Sequence, residues 1–163
     1  NRGTIYLTLD QHQQAIEDYD KAIQLEPDNV SVYIDRGLAY SDLGQYQRAI
    51  EDYDKAIQLE PDNASLYSDR GLAYSCMSQH QQAIQDYDKA IQLKPSVIRY
   101  SNRGLAYSDL GQHQRAIEDY DKAIELEPEN ANVYSDRGDA YLALGQASKA
   151  QEDFDKARSL GGG

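Results

Sequence analysis

The sequence has no tryptophan, one phenylalanine and one cysteine among its 163 residues. The single cysteine, Cys76, excludes an internal disulfide and any multi-cysteine metal site. No apolar run approaches the roughly 18 residues that a membrane span requires, and no secretory signal is visible. No membrane partner is therefore expected, and the cytoplasm is the default compartment. Basic residues are scarce: 16 Lys and Arg stand against 28 Asp and Glu, for a formal charge of −12. A nucleic-acid partner is excluded on this count, because neutralising phosphates takes a surplus of cations. The balance suits a basic or neutral protein partner, or a merely solvated surface. No phosphate-binding loop, His-Glu helix motif or catalytic carboxylate pair occurs, so neither enzymatic activity nor a cofactor is expected.

What the sequence does contain is a repeat. Arg36–Pro61 and Arg103–Pro128 differ only at Tyr46/His113 and Gln58/Glu125, which leaves 26 − 2 = 24 identities. An Arg-Gly pair recurs at Gly3, Gly37, Gly71, Gly104 and Gly138, with spacings of 34, 34, 33 and 34. The short interval follows Pro95, where a loop absorbs a deletion that would damage a helix. Within one repeat, Tyr33, Arg36/Gly37, Tyr40 and Leu43 share one helical face, and Ala49, Ile50, Tyr53, Ala56 and Ile57 share another. Gly44 offers the left-handed conformation that closes the first helix, and Pro61 stops the second. Each repeat is thus two antiparallel helices that must stack on neighbours to bury their apolar faces.

The period and its signature residues resemble the tetratricopeptide repeat over nearly the whole chain. In the second repeat the resemblance rests on Tyr33, Gly37, Tyr40, Gly44, Ala49, Tyr53, Ala56 and Pro61. It returns through Tyr67–Pro95 with Ser78 in place of glycine, through Tyr100–Pro128, and through Tyr134–Ala157 without the proline. The resemblance implies an all-α, right-handed superhelical solenoid over residues 1–160. Its units are a truncated repeat at 1–29, then 30–63, 64–96, 97–130 and 131–160, with a flexible tail at 161–163. All fourteen tyrosines except Tyr46 fall on the large aromatic positions. They read as core packing whose hydroxyls emerge at helix edges, since a buried unpaired hydroxyl costs about 1–3 kcal/mol.

One position departs from the family, which usually carries leucine before the close-packing glycine. Here arginine stands there every time, and a buried cation needs a counter-charge. An aspartate precedes each second-helix aromatic, which predicts the pairs Arg2–Asp18, Arg36–Asp52, Arg70–Asp86, Arg103–Asp119 and Arg137–Asp153.

The resemblance further implies a protein-interaction scaffold whose first helices line a concave, peptide-binding face. The lining stripe opposite the tyrosines comprises Ile34, Asp35, Leu38, Ser41 and Asp42 in one repeat, and Ser68, Asp69, Leu72, Ser75 and Cys76 in the next. It continues with Ser101, Asn102, Leu105, Ser108 and Asp109, then Asn132, Ser135, Asp136, Asp139 and Leu142. The stripe holds no lysine and only Asn102 and Asn132 as asparagines. Family members that clamp the acidic tails of chaperones need both residue types, so this stripe suits a basic or neutral segment instead.

Other signals have bland readings. Arg137-Gly138-Asp139 spells an adhesion tripeptide, but on a helix. Asn29-Val30-Ser31 and Asn63-Ala64-Ser65 match the glycosylation sequon at turns. His12, His80 and His113 share one repeat position and lie too far apart for a common metal. Gln151 and Arg158 replace the isoleucines of earlier repeats, as a polar closing face would. At the other end, truncation is expected to leave Ile16, Tyr19 and Ile23 partly uncovered, an invitation to self-association through the N-terminal end.

Overall fold

The computed structural model describes residues 12–161, which are helical with no strand among them. They fall into two compact units that divide between Gln79 and His80, inside the repeat 64–96. The first unit holds α1 (His12–Leu25), α2 (Val30–Asp42), α3 (Tyr46–Leu59) and α4 (Ala64–Cys76). The second holds α5 (His80–Leu93), α6 (Val97–Asp109), α7 (His113–Leu126), α8 (Ala131–Ala143) and α9 (Ala147–Ser159). In each unit, sequential helices pack against one another.

The helices begin and end where local chemistry dictates. Gly44, Gly111 and Gly145 take φ of 69°, 71° and 73° at the ends of the first helices. After α2, Gln45 N–H donates to the Tyr40 carbonyl at 2.8 Å and Gly44 N–H to Ser41 at 2.9 Å, the paired bonds of a left-handed helix stop. Ser78 makes the same turn at φ 58° although it carries a Cβ, with Gln79 N–H donating to Tyr74 at 2.9 Å. The one-residue deletion is taken up by a turn: Lys94–Ser96 separates α5 from α6, where Glu26–Asn29 and Glu60–Asn63 serve elsewhere. Ser96 compensates by accepting from Arg99 N–H at 3.4 Å as a helix cap.

The core is built from small residues against large rings. Ala49, Ala83, Ala116 and Ala150 are fully enclosed, and Tyr19, Tyr53, Tyr87 and Tyr120 are each 1 % exposed. A Cβ on Gly37 would stand 2.8 Å from Tyr53 Cε1, on Gly104 2.8 Å from Tyr120 Cε1, and on Gly138 2.6 Å from Phe154 Cε1. The glycine is therefore a seat for the aromatic ring of its own repeat. The tyrosine hydroxyls do find partners at edges: Tyr33, Tyr67 and Tyr134 donate to the carbonyls of Pro27, Pro61 and Pro128 at 3.0, 3.0 and 3.1 Å.

Arg36, Arg103 and Arg137, each standing before its glycine, are held by two carboxylates, not one. Arg36 donates from Nε and Nη2 to Asp52 at 2.8 and 2.5 Å, and from Nη1 to Asp20 of the preceding repeat at 2.6 Å. Arg103 does the same with Asp119 at 2.8 and 2.6 Å and with Asp88 at 2.5 Å. Arg137 bonds Asp153 at 2.8 and 2.7 Å and Asp121 at 2.5 Å. Arg70 bonds Asp54. Three expected pairs are therefore present; Arg70–Asp86 spans the two units, and Arg2 lies outside the described residues. The Arg36, Arg103 and Arg137 guanidiniums each lie near two rings as well, Tyr33 and Tyr40 being 5.8 and 5.9 Å from Arg36, within cation–π range. Burial pushes the Asp52 and Asp119 carboxyls up, against the lowering by Arg36 and Arg103. The arginines are held above their ordinary range, first by the hydrogen bonds to those same carboxylates.

One expectation needs correction. Ile16 and Tyr19 are 3 % and 1 % exposed, not left open. Ile16 packs with Ala39, Tyr40 and Ala49 of the following repeat, and Tyr19 with Ala15 and Val32. Both side chains thus contact the following repeat along the chain.

Candidate functional site

The side chains of the first helices that miss the tyrosine core form a stripe with a periodic exposed leucine. In the first unit Leu38 and Leu72 are 40 % and 51 % exposed, and in the second Leu105 and Leu142 are 53 % and 50 % exposed. Asp42, Asp109 and Asp139 are exposed, whereas Ile34, Asp35, Ser41, Ser68, Asp69, Ser75, Ser101, Asn102, Ser108 and Ser135 are half-buried. Ser68 turns back to donate to the Ala64 carbonyl of its own helix at 3.1 Å.

In the first unit this stripe opens into a cavity of about 240 Å³ between α2 and α4. Leu38, Ser41, Asp42, Asp69 and Leu72 line it, together with Tyr46, Tyr53, Ala73 and Cys76. Tyr53 reaches it from beneath: the ring is enclosed against Gly37, and the hydroxyl lies 3.4 Å from Ser41 Oγ. Burial pushes the Tyr53 phenol up to about 12, with Asp69 and Asp42 acting in the same direction. A hydrogen bond to Cys76 holds the Tyr46 hydroxyl above its ordinary range at the rim. Asp42 also lies 3.8 Å from His12 Nδ1.

The second unit repeats part of this arrangement. The Tyr120 hydroxyl meets Ser108 and feels Asp136 and Asp109, and burial raises its pKa. Burial and the neighbouring Asp139 raise the Asp136 carboxyl. His80 Nδ1 stands 3.4 Å from Asp109. Among the described residues, no three His, Cys, Asp or Glu side chains are placed to hold a metal ion, and no helix is long and apolar enough to cross a membrane.

Reasoning from sequence put the first-helix residues of this cavity on one stripe but missed its floor. The repeat pattern places Tyr53 in the core and leaves Tyr46 off the large aromatic positions. The available signal was the serine at position 41, one helical turn beyond Gly37, which the hydroxyl of the ring seated on that glycine can reach. The other motifs sit where bland readings put them. Arg137-Gly138-Asp139 lies within α8, and Asn29 and Asn63 donate to Glu26 and Glu60 at 2.8 and 2.9 Å.

Stacked hairpins with a glycine-seated aromatic core define a helical-repeat scaffold. The chain matches the tetratricopeptide repeat over residues 3–63, 64–97 and 131–160, and the TPR repeat over 104–145. A solved structure of MamA is 31 % identical, covering 98 % of this chain and 94 % of its own, with a TM-score of 0.93. MamA from Desulfovibrio magneticus RS-1 is 24 % identical over 98 % of this chain and 91 % of its own, with a TM-score of 0.92. YrrB, described as a TPR protein with an unusual peptide-binding site, is 21 % identical over 98 % and 82 %, with a TM-score of 0.83. No curated protein sequence matches. The chain belongs to the tetratricopeptide-repeat family, and its fold is the all-α hairpin repeat of that family. Membership makes it a protein-interaction scaffold.

Proposed function

We propose that the protein acts without catalysis by holding a peptide or protein segment, basic or neutral, on the leucine-bearing face of its first helices. The observation that carries this reading is the cavity between α2 and α4, where Leu38 and Leu72 stand half in solvent beside Ser41, Asp42 and Asp69. Exposed leucines over a hydroxylated, acidic floor offer apolar anchoring with a polar rim, as groove recognition requires. The peptide-binding description of YrrB is a precedent on the same fold. The second reading, self-association through the N-terminal end, rests on Ile16, Tyr19 and Ile23; the first two are buried and Ile23 is half-buried. The test is a pull-down comparing the native chain with a folded Leu72→Glu/Leu105→Glu variant. Capture lost by the variant supports the leucine face. Equal capture by both, or capture of nothing but the chain itself, overturns it.

A further inference from the structure

The cavity between α2 and α4 is walled on several sides. Leu38 and Leu72 supply apolar walls, Asp42 and Asp69 come from successive repeats, and the Tyr53 hydroxyl closes the floor beside Ser41. Its volume of about 240 Å³ lies below the roughly 300–1,000 Å³ of small-molecule sites, which suits one long side chain. No lysine or arginine lines it. Two carboxylates and a phenol oxygen above apolar walls form an environment for a cation on an aliphatic stem.

Building on the groove reading above, we propose that this cavity is the specificity subsite of the groove and receives one lysine or arginine side chain of an extended protein segment. The aliphatic stem lies between Leu38 and Leu72, and the cationic head lies between Asp42 and Asp69 with Tyr53 accepting from it. His12 Nδ1 stands 3.8 Å from Asp42 at the edge of this subsite.

The experiment is a selection from a randomised, end-blocked peptide library by the native chain, by Asp42→Asn/Asp69→Asn and by Leu72→Glu, each checked for native helicity. The native chain is expected to enrich peptides with one basic position. A lysine-to-norleucine change in a selected peptide, or the double asparagine variant, should weaken binding roughly tenfold or more. Because Asp69 is half-buried, Asp42→Lys at an exposed helix end supplies a second variant, expected to abolish the preference. Peptides that bind and are lost on Leu72→Glu, yet show no basic preference or keep it in both aspartate variants, overturn the subsite while the groove stands. Enrichment of acidic peptides overturns it as well. A library that yields no binder overturns both readings together.

Discussion

Replacing Arg103 with leucine, the residue the family usually carries before this glycine, tests the largest departure this chain makes. Arg103 is 19 % exposed in its side chain and gives two bonds to Asp119, itself 6 % exposed, and one to Asp88, 51 % exposed. Loss of the Asp88 contact is a surface effect worth at most about 1 kcal/mol. Loss of the Asp119 contact leaves a buried carboxylate without its cation, which costs about 3–5 kcal/mol. The buried partner decides the outcome, so the variant should lose about 3 kcal/mol at neutral pH. Arg103→Leu/Asp119→Leu, which removes both charges, should recover to within about 1 kcal/mol of the native chain. The pH dependence follows from burial, which already raises the Asp119 carboxyl above the ordinary aspartate range. Without Arg103 the lowering contribution disappears and the carboxyl rises further. A folded-state carboxyl above its unfolded value takes up a proton on folding, so the variant gains stability as pH falls from neutral through that raised value. The deficit should shrink correspondingly. Urea unfolding followed by circular dichroism, repeated from neutral pH down to about pH 5, reads both effects. A deficit under about 1 kcal/mol, a deficit independent of pH, or a double variant as weak as the single would refute the reasoning.

Further outcomes follow from single positions. Ser78→Gly should stabilise by about 0.5–1 kcal/mol, because serine holds φ 58° where its equivalents are glycine; an unchanged urea midpoint would count against this. Gly37→Ala gains about 1 kcal/mol of helix propensity but puts a methyl 2.8 Å from the Tyr53 ring, so a net loss of about 1–2 kcal/mol is expected in the same assay. Tyr53→Phe should resist alkali better than the native chain. The Tyr53 phenol rises from 10.0 to about 12 on folding, so its stabilisation is lost as pH climbs through that interval. Identical alkaline unfolding profiles would contradict the burial of that hydroxyl.

How far the sequence was readable can be argued position by position. Gly44 and Gly37 were legible because their roles are local: one ends a helix, the other meets a ring sixteen residues on within the same hairpin. The bonds from Arg36 to Asp52 and from Arg103 to Asp119 were legible for the same reason. The second carboxylate was not. Asp20, Asp54, Asp88 and Asp121 follow the aromatic, just as the predicted acids precede it, yet their arginines belong to the next repeat. Choosing them requires the offset between stacked hairpins, which a pattern inside one repeat does not contain. The same blindness misassigned Ile16, which turns toward the following repeat.

That second carboxylate changes what the arginine does. A bond confined to one hairpin fixes the register of its two helices, whereas a guanidinium shared with the preceding hairpin makes each repeat part of its neighbour's seat. The acids flanking each aromatic thus have separate tasks, the first within the repeat and the second between repeats. Asp155 in α9 has the second position, and there Arg158 and Gln151 of its own helix supply the bonds. Both stand where earlier repeats have isoleucine that packs toward the next hairpin, as Ile50 does with Ala73 and Tyr74. One pair of substitutions therefore removes the apolar contact and satisfies the carboxylate together. Had either changed alone, the helix would keep an isoleucine at one of these positions and leave the carboxylate with one bond fewer.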